Sequence, residues 1–493
     1  MYSALLAAVM PALSRLTPSR FWQIHQESLQ VMTSAPEPEA ARFGRLQRIL
    51  RHAVETVPFY RERFCGTGLT PDNIQSFADL AKLPPLTKAD LRASFPDGIT
   101  SSAQLHKPWR MSNTSGTVER VSIIHDFQKR DSDRAASLTA LRLATGYRLG
   151  MSYMTLPPNI CRSVCGAAET ESPSLGAFLW THLRNGTWKD SETHSDLRGI
   201  IENQILYRHT QLPSYWPDKL VQPPEVLEEC LGRIDSAAPH TLKGLPVYLY
   251  LLAEYILRTR RRAPKVSGAI MPMGSSITPL MKRMVEEAFG VPVAEDYGSA
   301  EMAAIASECR FRNGHHPLMP FYHVEIEKDG RPARPGELGR VLVTDLVNMA
   351  MPMIRYEIGD AAMVLPGECQ CGFKGLRFEV RGRWQECLTG QDGRIISSDE
   401  FTDSILSEPG VLLFQLHMLP RSRYELQIVP RADMMPNLER VEARVHEVLD
   451  PCVGRLKVTL ARNLRPEATG KFRFIKQAAN LSAVTKDVHA ASA

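Results

Sequence analysis

The stretch VSGAIMPMGSSITPLMKRMVEEAFGVPVAEDYGSAE, residues 266–301, decides the class of fold. VSGAIMPMGSS (266–276) reads as a buried strand that ends in a polar glycine turn. TPLMKRMVEEAFG (278–290) is an amphipathic helix, with Thr278 as N-cap, Pro279 at the first helical position and Gly290 just past the end. VPVAEDYGSAE (291–301) is a second strand that runs into a polar loop. Strand, helix and strand, with both polar loops at strand C-termini, is an α/β arrangement. In an open α/β sheet that edge is where ligands bind.

Toward the N-terminus, residues 40–65 carry apolar side chains at helical spacing, including Leu46, Ile49, Leu50, Ala53 and Val57, and Pro58 ends the run. Thr87 and Asp90 stand in capping-box spacing before another short helix. The apolar opening, MYSALLAAVMPALSRL, lacks a basic start and is interrupted by Pro11, so it reads as a docking helix rather than a signal peptide. Toward the C-terminus, FYHVEIEKDGRPARPGELGRVLVTDL gives two strands around a Gly/Pro-rich turn, and MIRYEIGDAAMVL a further strand pair turning at Gly359-Asp360. The last segment has strands at 411–419, 424–429 and 456–461 and a helix at 437–450, enough for a small α+β core. The expected division is a large domain over 1–382, with α/β subdomains and a β-rich region, and a small C-terminal domain over 383–493.

Composition narrows the function. A chain that is 43% hydrophobic and 23% charged is globular, and a net charge of +5 over 493 residues does not argue for nucleic acid. The basic run Arg258–Arg262 reads as a solvated helix end. No apolar stretch reaches the roughly 18–20 residues of a membrane span; the best, Leu245–Leu257, is broken by Glu254. Nine cysteines, an odd number in a long chain, do not make a secreted disulfide framework. The expected location is the cytoplasm, with no nucleic-acid or membrane partner.

The polar loops follow in a fixed order: NTSGTVE (113–119), MGSS (273–276), EDYGSAE (295–301), RYEIGD (355–360), RGRWQE (381–386) and EATGKFRFIK (467–476). A small hydroxyl-rich loop such as the first can cradle phosphate, or be a plain turn. Their order resembles the core motifs of the adenylate-forming superfamily, the acyl-CoA synthetases and adenylation domains. VETVPFYRERF, LPPLTKADLRASFP, LKGLPVYLYLLAEYI and GELGRVLVTDLVNMAMPMIRYEIGD resemble its phenylacetate–CoA ligase and capsule-biosynthesis branch in particular. The likeness runs from about residue 40 to 476, and 345–360 is its most specific part.

The resemblance implies a large adenylate-forming domain and a small mobile one, and it assigns residues. Ser115, Gly116 and Thr117 would form the loop over the ATP phosphates. Gly274, Ser275 and Ser276 would contact adenine, and Tyr297, beside Gly298, would stack on it. Glu301 would ligate Mg²⁺, Asp360 would grip the ribose hydroxyls, Arg383 would mark the hinge and Lys471 would be the mobile catalytic lysine. The chain departs from the pattern at Val118 (for glycine), at Ala300 (for a threonine touching the α-phosphate) and at Gln385-Glu386 (for an acidic pair).

SECRFRNGHHPL supplies Cys309 with His315 and His316, and GECQCGF supplies Cys369 and Cys371. One histidine and three cysteines would make a closed tetrahedral zinc site. The cluster resembles a zinc-binding variant of the family, whose spacing His316 fits better than His315; with four protein ligands such a zinc would be structural. The alternative is buried thiols beside a solvated histidine pair.

Three functions remain open. The first is an acid–thiol ligase that activates a hydrophobic or aromatic carboxylic acid as its adenylate and passes it to CoA, or to the phosphopantetheine of a carrier protein supplied in trans. The second is an amide ligase with an amine or amino acid as acceptor. The third is a nucleotide-binding member without turnover, motivated by Val118 and Ala300. Trp188 and Trp216 could line an apolar acid pocket, or pack a core.

Overall fold

A computed structural model describes residues 2–15, 19–33, 39–104, 109–113, 121–157, 175–185, 200–390, 393–420, 423–449, 456–467 and 469–477. The chain divides into two units. The first comprises Met1–Leu16, Thr145–Ala294 and Asn463–Arg473; the second comprises Thr17–Ala144, Glu295–Arg462 and Phe474–Ala493.

The first unit is built on a four-stranded parallel sheet, ordered His209–Gln211, Tyr153–Leu156, Thr241–Gly244 and Ala269–Pro272. Leu156, Gly244 and Pro272 align at one edge, so the turns that follow leave from a common C-terminal rim. After Gly244, Leu245 leads into the helix Pro246–Thr259, whose proline at the first position loses no intrahelical bond. Every residue of that helix from Pro246 to Ile256 is buried, and Glu254 survives there by pairing with Arg258 at 3.0 Å. Arg260, in the left-handed region, caps the helix. After Ala269–Pro272 the chain turns at Gly274 (φ 81°) and enters the helix Pro279–Phe289. Thr278 caps that helix by accepting the Met281 N–H, and Gly290 (φ 67°) closes it.

The second arm of the 266–301 stretch differs from expectation. Only Val293 bridges the parallel sheet, at Ile270. The DYGS segment instead forms the strand Asp296–Ser299, antiparallel to Ala303–Ser307 and, through it, to His316–Pro317. Two residues after Val293 the chain passes into the second unit.

The N-terminal stretch is a helix, Tyr2–Arg15, with Leu6 and Met10 buried. Tyr2 and Leu6 lie against Gly150, and the Tyr2 hydroxyl donates to the Ile205 carbonyl at 3.1 Å. Among the described residues, no helix is long and apolar enough to cross a membrane.

The second unit holds a five-stranded antiparallel sheet, ordered Arg331–Pro332, Tyr322–Lys328, Leu338–Asp345, Tyr356–Val364 and Phe378–Arg383. The expected hairpin at Gly359-Asp360 is absent: Tyr356–Val364 is one strand. Tyr356 and Ile358 are buried before the glycine, and Ala361, Ala362 and Val364 after it. Buried residues stand side by side only at the adjacent pair Ala361 and Ala362, and the register shifts there through a bulge, with Arg340 to Leu342 facing the longer span Ala361 to Glu357. Gly359 (φ 91°) supplies the left-handed residue this bulge needs. The helices Glu39–Thr56 and Lys88–Ser94 form as expected, the second with its Thr87–Asp90 capping box complete. Pro58, which ends the first run, also starts the next helix, Pro58–Thr67. Farther along, Leu456–Leu460, Arg423–Pro430, Val411–Leu419 and Ile475–Gln477 make a four-stranded sheet, accompanied by the helices Ser398–Leu406 and Leu438–Val448.

Candidate active site

In the second unit, one sheet bulge and one short hairpin bring four of the expected residues together. Asp360, at the bulge, has both carboxylate oxygens engaged. Oδ2 accepts from the Tyr297 hydroxyl at 2.8 Å, and Oδ1 lies 3.1 Å from Arg383 Nη1. The Arg383 contact follows from register, since Asp360 pairs with Arg383 across neighbouring strands. Tyr297 is buried; burial, and then Asp360, hold its phenol well above the ordinary range, so it remains a donor. Next to it, Gly298 has no room for a side chain, because a Cβ there would collide with the Ala303 carbonyl.

Glu301 is 5% exposed, and its Oε1 accepts from the Tyr356 hydroxyl at 3.0 Å. Burial, and then the Glu301 carboxylate, push the Tyr356 phenol far above its usual value, which keeps the hydroxyl protonated. The backbone after Glu301 is held as well. Lys129 Nζ donates to the Tyr322 hydroxyl at 2.7 Å, and that hydroxyl donates to the Met302 carbonyl. Lys129 is fully buried and is balanced by Asp133 and Asp345, each at 2.8 Å. A buried carboxylate with one oxygen fixed by a phenol is a hard oxygen donor of the kind Mg²⁺ prefers.

In the first unit, Gly274, Ser275 and Ser276 form the turn after the buried strand Ala269–Pro272. The Lys471 side chain lies beside this turn: its Cε is 3.4 Å from the place a Cβ on Gly274 would occupy. Trp216 is fully buried and stacked on Tyr248, with ring centroids 4.4 Å apart and planes 8° from parallel, so it is a packing residue. Ser115, Gly116 and Thr117, with Val118, and also Trp188, lie outside the described residues.

Cys309, His316, Cys369 and Cys371 each place one ligand atom within 4.8 Å of the others. The Cys309 and Cys369 sulfurs are 3.7 Å apart, and Cys371 Sγ is 3.9 Å from His316 Nδ1. His315 turns away: its ring stacks on Phe378 and its Nδ1 faces the Phe378 carbonyl, whereas the His316 ring stacks on Phe373 at 4.3 Å. His316, not His315, is therefore the histidine of the cluster. Burial lowers His316 to about 4, leaving a neutral ring with a lone pair at physiological pH. Burial pushes the Cys309 thiol up to about 12, so a metal there must displace its proton. Three sulfurs and one imidazole at this spacing suit Zn²⁺.

Two tyrosines, one in each unit, escaped the sequence reading. Tyr356 sits in the quoted RYEIGD motif, where only Asp360 drew attention. Tyr248 lies in LKGLPVYLYLL, which reads as plain apolar helix.

No family model matches the chain. Over 345 residues it is 26% identical to the phenylacetate–coenzyme A ligase of Escherichia coli (strain K12), covering 68% of this chain and 69% of that one. Over 356 residues it is 24% identical to the phenylacetate–coenzyme A ligase of Thermus thermophilus, covering 70% of each. A crystal structure of 2-hydroxyisobutyryl-CoA ligase in the postadenylation state, in complex with 2-HIB-AMP, superposes with a TM-score of 0.66 at 21% identity, over 93% of this chain and 94% of that one. The chain is thus similar, over about two thirds of its length, to phenylacetate–coenzyme A ligases, and it shares the fold of the 2-hydroxyisobutyryl-CoA ligase structure.

Proposed function

We propose that this chain is an ATP-dependent carboxylate ligase that converts a carboxylic acid to its acyl-adenylate and passes the acyl group to the thiol of CoA. The observation that carries the reading is the buried Glu301 carboxylate, held by Tyr356 one motif away from the Tyr297–Asp360–Arg383 cluster. That constellation has the residue types and order that the resemblance implies for an adenylating site, and the proteins to which the chain is similar are named for CoA ligation.

The substrate carboxylate attacks the α-phosphorus of ATP, forming a C(O)O–P bond and releasing pyrophosphate. No general base is required, because the acid is already ionised. Negative charge grows on the attacking oxygen and at the phosphate, and the Lys471 ammonium offsets it. Glu301 would hold Mg²⁺, which when bound neutralises the leaving pyrophosphate. Asp360 would accept from the ribose hydroxyls, and Tyr297 and the Gly274–Ser276 turn would receive the adenine. Ser115–Thr117 would cover the phosphates. The thiol then attacks the acyl carbon, AMP leaves, and the thiol proton passes to solvent. Residues 383–493 would move as a small domain, about a hinge at Arg383, between the two steps.

Cys309, His316, Cys369 and Cys371 would hold a structural zinc, since four protein ligands leave no position open for substrate. The acid is read as hydrophobic or aromatic, in line with the phenylacetate named for the relatives.

The test is a panel of aryl, alicyclic and fatty acids with ATP and Mg²⁺, each run alone, with CoA, with a phosphopantetheinyl carrier and with an amino-acid mixture. Acid-dependent turnover accelerated by CoA is expected. Acceleration by the amino acids alone would replace thioester transfer with amide formation.

A further inference from the structure

Within the first unit, the segment that carries Lys471 is hydrogen-bonded near both of its ends. At its start, Asn463 Oδ1 accepts from the Leu220 and Val221 N–H groups at 3.0 and 2.9 Å, and Nδ2 donates to the Val221 carbonyl at 2.8 Å. Near its end, the Tyr248 hydroxyl donates to the Gly470 carbonyl at 2.9 Å. Gly470 (φ 73°) belongs to a tight turn, in which its N–H reaches the Glu467 carbonyl and the Glu467 N–H reaches the Lys471 carbonyl, both at 2.7 Å. Glu467 also pairs with Arg473 at 3.1 Å. The turn is therefore tied together by its own hydrogen bonds, and the Tyr248 phenol holds it from outside.

That phenol cannot wander. Tyr248 is fully buried on the helix Pro246–Thr259, and Trp216 covers its ring face to face at 4.4 Å. The direction of the hydroxyl is fixed by packing, and the carbonyl it holds is one residue before Lys471. Burial pushes the phenol above its ordinary range, so it donates at any working pH.

We propose that Tyr248, braced by Trp216, is a positioning residue that latches the Glu467–Lys471 turn in the arrangement used for acyl-adenylate formation, and that the latch plays no part in transfer to the thiol. The inference rests on Lys471 serving the adenylating step. One neutral hydrogen bond to a main-chain oxygen biases an equilibrium roughly three- to tenfold. That is strong enough to favour one placement of the lysine and weak enough to release it after each turnover.

Tyr248→Phe keeps the ring and its stack and removes only the donor. The two half-reactions are then measured separately: acid-dependent ATP–pyrophosphate exchange, and thioester formation from the synthetic acyl-adenylate and CoA without ATP, using the acid selected by the panel above. Exchange should fall roughly three- to tenfold while thioester formation holds or rises. An equal fall in both would make Tyr248 a merely structural residue, and undiminished exchange would remove the latch. Lys471→Ala, run in parallel, separates the two claims: if it leaves exchange intact, the reading of the lysine fails first and the latch falls with it.

Discussion

The Tyr356 hydroxyl and the Glu301 carboxylate meet at 3.0 Å, both side chains buried, one on the RYEIGD strand and the other on the hairpin after DYGS. A phenol in that position fixes one carboxylate oxygen and leaves the other to a ligand. Partners that orient a metal-binding group are typically worth ten- to a hundredfold in metal affinity or activity. Tyr356→Phe should therefore raise the Mg²⁺ concentration needed for half-maximal pyrophosphate release by about tenfold. Glu301→Gln should lower the rate further, at every Mg²⁺ concentration. A Tyr356→Phe enzyme with an unchanged Mg²⁺ dependence would show that the contact is packing alone.

The four-residue cluster of Cys309, His316, Cys369 and Cys371 predicts close to one zinc per chain in protein purified without chelator. Cys369→Ala and Cys371→Ala should each abolish that stoichiometry and lower the thermal midpoint. His315→Ala should leave the metal in place, since the His315 ring faces Phe378. Metal analysis that finds far less than one zinc in the unaltered protein contradicts the site.

Lys471→Ala should lose acyl-adenylate formation and retain thioester formation from the synthetic adenylate. Its ammonium would stabilise charge in the first step, and such preorganised charge is typically worth about a hundredfold or more. Equal loss in both half-reactions would argue against this division.

Acid should weaken the fold through His25. Its ring is buried against the Thr139 hydroxyl at 2.9 Å, and burial, helped by the charge of Arg142, lowers its pKa to about 4 from 6.5. The folded state thus binds the proton less tightly than the unfolded chain. The stability from a neutral His25 is complete above pH 6.5 and is lost as pH falls toward 4. By pH 5 the loss is about 2 kcal/mol. Denaturant midpoints measured from pH 7 to 4.5 should fall less steeply in His25→Asn than in the unaltered chain. Parallel profiles would show that His25 is not buried in this way.

Local chemistry made much of the fold legible. Thr278, Pro279 and Gly290 mark both ends of their helix, and Thr87 with Asp90 marks another, because caps are decided by residues adjacent in sequence. Gly359-Asp360 misled for the converse reason. A left-handed glycine serves a hairpin or a bulge equally well, and only the sheet neighbours on both sides select the bulge. The order of motifs pointed to Tyr297, Asp360 and Arg383, which share contacts in the folded chain. Tyr356 and Tyr248 were hidden because a buried tyrosine reads as core until its hydroxyl's partner is seen, and those partners, Glu301 and Gly470, are 55 and 222 residues away.

The central claim is that this chain forms an acyl-adenylate, and carboxylate-dependent exchange of labelled pyrophosphate into ATP tests it most directly. Exchange should require both Mg²⁺ and an acid of the aryl, alicyclic or fatty class, proceed without CoA, and be lost in Lys471→Ala. ATP binding with no exchange across the whole panel, or turnover that yields ADP and phosphate instead of AMP and pyrophosphate, would contradict it.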